Sequence, residues 1–171
     1  RAIVTASCGL EPGRIVKYKP LIDAAIGLSP HKPAAVLILQ RPECPCELTA
    51  GRDADLLDAM AAATPHPCVS VDATDPLYIL YTSGTTGAPK GILRDNGGHA
   101  VALRHSMAMV YGVGAGDVFW AASDVGWVVG HSYIVYAPLL AGCTTVLFEG
   151  KPVGTPDAGT FWRVCEQHGV K

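Results

Sequence analysis

The sequence predicts an α/β protein in which mixed or parallel sheets are covered by helices. Uninterrupted apolar runs, such as residues 34–40, are typical of strands buried on both faces. Segments with helix-starting residues alternate with these runs, which favours a parallel or mixed sheet. The 171 residues suffice for one core of ordinary domain size. Only 16% of them are charged, against roughly 25% in an average chain, so we expect other protein to cover much of the surface.

The first third of the chain predicts one further strand and two helices. The β-branched run at residues 2–6 predicts a strand, and residues 19–28 predict a helix with Pro20 in its first turn. Asp53 is predicted to cap a helix that runs to Ala63. Three residues form the apolar face of this helix: Leu56, Leu57 and Met60.

The remaining residues continue the alternation. Three strands and a helix are predicted at residues 77–82 (strand), 92–93 (strand), 98–111 (helix) and 118–122 (strand). Residues 125–148 carry no formal charge and are long enough to suggest a membrane span. Glycines, a proline and polar residues interrupt them, so we predict a buried helix followed by a buried strand at residues 144–148. Asp157 is predicted to cap a last helix that runs to Gln167.

Residues 82–91 form a candidate phosphate-binding loop directly behind the apolar strand that ends at Tyr81. The loop reads Thr-Ser-Gly-Thr-Thr-Gly-Ala-Pro-Lys-Gly. Its glycines are predicted to take positive φ and bring backbone N–H groups close to a ligand, while its hydroxyls donate to phosphate oxygens. These residues are Gly84, Gly87 and Gly91, and Ser83, Thr85 and Thr86. Lys90 adds a point charge, and ligands of α/β sheets bind beyond strand ends, where this loop lies.

This loop differs from a Walker A loop, which requires Gly-Lys followed by Ser or Thr. Here Pro89 precedes the lysine and Gly91 follows it. Proline has no N–H to donate to a phosphate. The alternative for the segment is a surface turn that binds nothing.

The loop resembles the phosphate-loop motif of the adenylate-forming (AMP-binding) superfamily, which includes acyl-CoA synthetases. A second motif resembles the short-chain acyl-CoA synthetase branch, with its acetyl-CoA and propionyl-CoA synthetases. It reads Ser-Asp-Val-Gly-Trp-Val-Val-Gly-His-Ser-Tyr at residues 123–133, followed by Pro-Leu-Leu at 138–140 and Phe-Glu-Gly at 148–150. Residues 149–157 and 161–164 are most similar to the propionyl-type members. The resemblance extends over essentially the whole chain.

The resemblance implies a two-step reaction with ATP, Mg²⁺ and coenzyme A. A carboxylate attacks the α-phosphate of ATP to give an acyl-adenylate and pyrophosphate, and the CoA thiol then displaces AMP. Donors around the phosphates stabilise the charge of the first step. The implied catalytic residues are Lys90, Thr85 and Thr86, and the implied ATP-phosphate contacts are Thr82, Ser83, Gly84, Gly87 and Gly91. No metal-ligand set can be identified, and Asp117 and Asp124 are expected to be caps or structural acids.

The resemblance also implies an acyl pocket walled by Trp127 and Val128, although a tryptophan in isolation is more often core filler. Val129 occupies a position beside CoA where acetyl-type enzymes commonly have threonine. Arg14 aligns with an arginine that contacts the CoA nucleotide, whereas Glu11 replaces a second arginine. His131 is expected to satisfy a buried hydrogen bond near the pocket and not to act as a base.

Several motifs of the superfamily have no counterpart in residues 1–171. These are the adenine-binding and ribose-binding motifs, the hinge and the C-terminal domain with its adenylation lysine. We therefore expect residues 1–171 to be part of an N-terminal AMP-binding domain, inactive alone and partnered by the remainder of its own chain. Two alternatives stay open: an adenylating enzyme with another specificity, such as an acetyl-CoA synthetase or one with a different acceptor, and a non-catalytic nucleotide-binding module.

Charge and cysteine content restrict the other partners. The chain has 13 basic and 15 acidic residues, for a net charge of −2, and its basic residues are scattered, so nucleic acid is not an expected partner. The substrates are expected to be small molecules, with no membrane span. Six cysteines without zinc-site spacing favour reduced thiols. We expect a cytoplasmic protein, with the mitochondrial matrix as the alternative.

Overall fold

The predicted α/β class is confirmed by the structure, a computed structural model that describes residues 1–83, 87–151 and 155–171. The chain forms two compact units, residues 1–67 and residues 68–171. Both units combine strands with helices, and both contain a pair of parallel strands. Each unit has its own cluster of buried apolar residues.

The first unit is built on a three-stranded parallel sheet. Its elements in chain order are β1 (Ala2–Ala6), β2 (Cys8–Glu11), β3 (Arg14–Lys17), α1 (Tyr18–Leu28), β4 (Ala35–Leu39), β5 (Asp53–Asp55) and α2 (Leu56–Ala62). Strand β4 lies between β1 and β5 in the sheet. Val36 and Ile38 alternate along β4, are fully buried and pack with Ile26 of α1. The predicted strands at 2–6 and 34–40 and the predicted helix at 19–28 are thus confirmed.

Strands β2 and β3 form an antiparallel hairpin that we did not predict. The pairing brings Glu11 opposite Arg14, so Pro12 and Gly13 make a two-residue turn. Gly13 has φ of +76°, the backbone conformation for which glycine is favoured in tight turns. The Pro-Gly dipeptide was the sequence signal for this hairpin.

The predicted cap of α2 was wrong by two residues. Asp55, not Asp53, is the N-cap, and its Oδ1 accepts hydrogen bonds from the amides of Leu57 (2.7 Å) and Asp58 (3.3 Å). Asp53 lies in β5, where Arg52 and Lys19 already bind its carboxylate. The apolar face predicted for this helix is not buried either, because α2 has no buried residue.

The carboxylate of Asp53 is the centre of an ion network that joins α1 to β5. Its side chain is 0% exposed and pairs with Arg52 Nε at 2.5 Å and Lys19 Nζ at 3.1 Å. Asp23 contacts the same two cations, each at 2.5 Å. The amide of Thr49 donates to Asp53 at 2.9 Å. Two acids therefore balance two bases in a partly buried cluster.

The second unit contains two pairs of strands and a long helical segment. Its elements in chain order are β6 (Pro76–Thr82), β7 (Lys90–Asp95), α3 (Gly97–Met109), β8 (Val118–Phe119), α4 (Val128–Gly130), a π-helix (His131–Tyr136), α5 (Ala137–Ala141), β9 (Thr144–Thr145) and α6 (Thr160–His168). Strands β6 and β7 form an antiparallel hairpin, whereas β8 and β9 are parallel. We call the continuous segment of α4, the π-helix and α5 the composite helix.

The core of the second unit lies between α3 and the composite helix. Met107 of α3 and Ala137 of α5 are both fully buried in it, together with Leu103 and Ala141. The composite helix lies within the uncharged stretch, which we predicted as a buried helix followed by a buried strand. The helix is buried on one side only, because Val129, Leu139 and Leu140 are 48%, 60% and 47% exposed. No helix in the described residues is long and apolar enough to cross a membrane.

Several predicted boundaries in the second unit differ from the structure. The two parallel strands are shorter than predicted, ending at Phe119 and Thr145, whereas β7 is longer and begins at Lys90. Gly159, not Asp157, is the N-cap of α6. Asp157 instead accepts a hydrogen bond from the amide of Gly159 (2.7 Å) and pairs with Arg163, so its carboxylate holds the turn before the helix.

Removing the charge of Asp53 should destabilise the first unit. Asp53→Asn leaves two cations to share Asp23, and breaking a buried pair in this way costs about 3 kcal/mol. The urea midpoint of the first unit can be followed by the methyl NMR signals of Ile26 and Ile38. Glu47→Gln, at an exposed acid of the same unit, is the control. A midpoint equal to that of the control would contradict a stabilising role for the network.

The same network predicts a pH dependence. The hydrogen bond from Arg52, with those from Thr49 and Lys19, holds the pKa of Asp53 well below its ordinary 3.8, although burial opposes the shift. A lowered pKa in the folded state means that this stabilisation is present above 3.8 and is lost as the pH falls towards the folded-state pKa. The midpoint should therefore fall between about pH 5 and pH 2, more steeply in the wild type than in Asp53→Asn. Equal slopes would exclude Asp53 as the group responsible.

Candidate functional site

The β6–β7 hairpin presents the two ends of the candidate phosphate loop. Thr82 is the last residue of β6 and pairs with Lys90, the first residue of β7. The side chain of Lys90 is exposed and makes no hydrogen bond or ion pair with the described residues. Ser83 is also exposed. The hairpin thus holds an unneutralised ammonium group beside a threonine hydroxyl at the mouth of the loop, an arrangement that suits an anionic ligand.

The glycines of the loop differ in their backbone conformation. Gly87 has φ of +80°, as predicted for a backbone that turns its N–H groups towards a ligand. The prediction for Gly91 was wrong, because this glycine lies in β7 opposite Tyr81 and does not take positive φ. A Cβ at Gly91 would lie 3.0 Å from Ile79 Cγ2 and 3.4 Å from the Tyr81 ring. The absence of a side chain at Gly91 therefore lets Ile79 and Tyr81 pack over β7. The predicted contacts Gly84, Thr85 and Thr86 lie outside the described residues.

The two faces of the hairpin have different environments. Side chains alternate along a strand, so Tyr78 lies on the same face as Thr82, and its cross-strand partner Arg94 lies on the same face as Lys90. This face contacts the composite helix through Tyr78. The opposite face carries three large exposed apolar side chains: Ile79 (57% exposed), Tyr81 (71%) and Leu93 (55%).

A turn at residues 123–127 presents Trp127 at the start of the composite helix. Asp124 Oδ1 accepts a hydrogen bond from the amide of Gly126 (2.7 Å), which confirms it as a structural acid. Gly130 permits the turn to pack on the helix, because a Cβ there would lie 2.0 Å from the Asp124 carbonyl oxygen. Trp127 is 63% exposed, so within the described structure it is not core filler. Its neighbour Val128 is half-buried, and Val129 is 48% exposed.

His131 binds the backbone of Trp127. Its Nδ1 lies 3.0 Å from the Trp127 carbonyl oxygen, and its backbone amide donates to the same oxygen at 3.0 Å. The predicted hydrogen bond of His131 is therefore present, although the ring is only partly buried. This bond fixes the orientation of the turn from which the Trp127 side chain projects.

Sequence reasoning missed an aromatic cluster beside this turn. The ring of Tyr78 lies 5.5 Å from His131, 5.9 Å from Tyr136 and 5.8 Å from His99, measured between centroids. Burial, followed by the charge of Arg94, lowers the pKa of His99. Three buried atoms of the group have no hydrogen-bond partner in the described structure: Tyr78 Oη, Arg94 Nε and His99 Nε2. One sequence signal pointed to this cluster: Tyr78 and Thr82 are four residues apart in a predicted strand and therefore lie on the same face.

The remaining candidates belong to other elements of the two units. Arg14 is in the first unit, in the β2–β3 hairpin, where its guanidinium binds Glu11 Oε2 at 2.7 Å and stays largely exposed. Asp117 accepts hydrogen bonds from the amide of Gly114 (2.9 Å) and from Lys171 Nζ (3.0 Å). These bonds lower the pKa of Asp117 and confirm it as a structural acid. No group of three metal-ligating side chains is found among the described residues.

The chain matches a known enzyme family and several known proteins over nearly its whole length. The family model described as AMP-binding enzyme matches residues 3–171. The chain is 61% identical over 170 residues to an uncharacterized protein of Pseudomonas aeruginosa, covering 99% of this chain and 27% of that protein. It is 58% identical over 171 residues to human acyl-CoA synthetase short-chain family member 3, mitochondrial, covering 99% and 25%.

A third relative is the propionate–CoA ligase of Escherichia coli. It is 47% identical over 170 residues, covering 98% of this chain and 27% of the ligase. The chain thus spans about a quarter of the length of these curated relatives.

Proposed function

Because the chain belongs to the AMP-binding enzyme family, we propose that it is part of an ATP-dependent short-chain acyl-CoA synthetase. The reaction converts a carboxylate, ATP and CoA into acyl-CoA, AMP and pyrophosphate through an acyl-adenylate. We propose propionate as the preferred acid. The resemblance of residues 149–157 and 161–164 to the propionyl-type branch supports this choice, as does the name of the relative from Escherichia coli, propionate–CoA ligase.

The proposal rests on one observation: Lys90 and Trp127 are both exposed on the second unit. Lys90 is an exposed cation at the mouth of the loop without an ion-pair partner among the described residues, and Trp127 is a large ring that stays 63% exposed. The hairpin that holds Lys90 contacts the helix that begins beside Trp127. A charged group for phosphates and an apolar wall for a short acyl chain are what the first reaction step requires.

In this proposal the loop acts on the phosphate charge. Lys90, Thr82, Ser83, the N–H groups around Gly87 and the proposed residues Gly84, Thr85 and Thr86 neutralise the charge that develops during adenylation. The described residues contain no group of three side chains that could hold a metal ion. Mg²⁺ is usually bound through one or two carboxylates together with substrate phosphates, and ATP would supply those phosphates.

CoA, the substrate of the second step, is proposed to contact Val129 and Arg14. Val129 is 48% exposed beside Trp127. Arg14 is 69% exposed and already binds Glu11, so a CoA phosphate would have to compete with this carboxylate. A single exposed ion pair of this kind is worth little, which leaves Arg14 available to the nucleotide.

The remainder of the chain is proposed as the partner of residues 1–171. The adenine and ribose contacts and the C-terminal domain would come from it. The exposed Ile79, Tyr81 and Leu93 support this view, because adjacent exposed apolar side chains commonly mark a surface that other protein covers. All six cysteines are free thiols, in keeping with a reducing compartment such as the cytoplasm or the mitochondrial matrix.

Lys90→Ala tests the phosphate assignment. In the full-length enzyme we expect ATP–pyrophosphate exchange at saturating ATP to fall by about a hundredfold or more, since the lysine meets phosphate charge in the transition state. The apparent affinity for the acid should change little, because Lys90 does not contact the acyl chain. Arg104→Ala, at an exposed cation of α3, is the matched control. An unchanged exchange rate would remove Lys90 from the site and favour a surface turn.

Trp127→Gly tests the acyl pocket. Removing the ring should shift the preference of the full-length enzyme from propionate towards longer acids, by about tenfold to a hundredfold in kcat/KM per added carbon. Trp127→Phe should restore most of the short-chain preference. The measurement is a series of acids from acetate to octanoate, with Trp162→Gly as control, since Trp162 is 78% exposed on α6. An equal proportional loss for every acid would assign Trp127 a purely structural role, and an initial preference for acetate would favour an acetyl-CoA synthetase.

A further inference from the structure

We propose that Tyr78 and His131 are positioning residues that couple the phosphate hairpin to Trp127. The two side chains form a continuous path of contacts from strand β6, which leads into the phosphate loop, to the turn that presents the tryptophan. The inference rests on the proposed function, because it assigns the phosphate group to the hairpin and the acyl group to Trp127.

The first contact of the path is the hydrogen bond between His131 and Trp127. The carbonyl oxygen of Trp127 lies 3.0 Å from His131 Nδ1 and also accepts the His131 amide at 3.0 Å. A movement of the imidazole ring therefore shifts the peptide group that follows the tryptophan. The turn has little room to move independently, because the Asp124 carbonyl oxygen lies close to Gly130.

The second contact is the packing of His131 on Tyr78. The two ring centroids are 5.5 Å apart with an interplanar angle of 39°. Tyr78 lies on β6 four residues before Thr82, and the strand between them is paired with β7 along its length. Paired strands tend to open and close as one cooperative unit. A displacement of the loop therefore reaches Tyr78, and through it the imidazole.

The π-helix makes this arrangement possible. Tyr78 packs against both His131 and Tyr136 of the composite helix, and these two residues are five positions apart. In an α-helix, residues five apart point about 140° away from each other. The π-helix has hydrogen bonds that span five residues, as the bond from the Ala137 amide to the Ser132 carbonyl shows. His131 and Tyr136 can therefore lie on one face and enclose the same tyrosine ring.

The path acts through the ring of Tyr78 and not through its hydroxyl. Tyr78 Oη has no hydrogen-bond partner in the described residues, whereas the ring has three aromatic neighbours. A conservative variant can therefore distinguish the role of the Tyr78 ring from that of its hydroxyl. Tyr78→Phe keeps the packing, whereas Tyr78→Leu and His131→Leu remove an aromatic partner of the His131–Tyr78 contact.

The kinetic test is the selectivity of the full-length enzyme for propionate over butyrate. Tyr78→Leu and His131→Leu should lower this kcat/KM ratio by about tenfold, because the tryptophan is no longer held in register with the reacting phosphate. Tyr78→Phe should retain the ratio of the wild type. Tyr111→Leu, which removes an aromatic contact with Tyr133 elsewhere in the unit, is the control for general loss of packing. An equal loss for both acids in Tyr78→Leu, matching the control, would overturn the proposal.

A second readout does not depend on activity. Protein labelled with 5-fluorotryptophan gives a ¹⁹F signal for Trp127, identified by its loss in Trp127→Phe. Inorganic pyrophosphate should shift this signal in the wild type and in Tyr78→Phe but not in Tyr78→Leu. A shift that persists in Tyr78→Leu would overturn the coupling. If pyrophosphate fails to bind, the phosphate assignment is wrong. The coupling between Tyr78 and Trp127 is then tested without ligand, by comparing the Trp127 signal of Tyr78→Leu with that of the wild type. The same signal in both proteins overturns the coupling, and a displaced signal in Tyr78→Leu supports it.

Discussion

The close packing of the composite helix on α3 is the constraint on which the second unit depends. Met107 and Ala137 meet in this contact with no exposed surface, and a small residue at Ala137 allows the helices to approach closely. The same helix anchors the short parallel strands, because Thr145 Oγ1 donates to the Ile134 carbonyl oxygen at 2.7 Å. Strands of two residues are too short to be stable by themselves. Their placement therefore follows from the helix, as does the placement of the turn at its N-terminal end.

Each end of the proposed site combines ordered backbone with an exposed side chain. Trp127 and Lys90 project from fixed backbone, since one begins the composite helix and the other begins a paired strand. Their side chains nevertheless remain exposed. The backbone that presents the two side chains is therefore ordered before substrate binds, which lowers the ordering cost of the backbone on binding. In the first unit, by contrast, charges are neutralised internally: Asp53 and Asp23 bind Lys19 and Arg52.

The sequence was sufficient for features that depend on local pattern, and insufficient for those that depend on pairing. The uninterrupted run around Val36 and Ile38 predicted its strand because both side chains are buried. The N-cap of α2 was misplaced because Asp53 and Asp55 have equal capping propensity, and only the positions of Lys19 and Arg52 decide between them. Motif resemblance located the loop and Trp127. It could not reveal the Tyr78 cluster, because no periodicity of an α-helix brings His131 and Tyr136 onto one face.

The loop at residues 82–91 and the turn at residues 123–131 are proposed to bind the phosphates and the acyl group of the same reacting complex. Hydrogen–deuterium exchange of the full-length enzyme tests this most directly, with and without inorganic pyrophosphate plus an alkyl ester of AMP that mimics propionyl-adenylate. We expect peptides covering both segments to become protected when both ligands are bound, whereas peptides covering α2 do not change. Protection of only one segment, or of neither while the ligands inhibit the enzyme, would contradict a shared site.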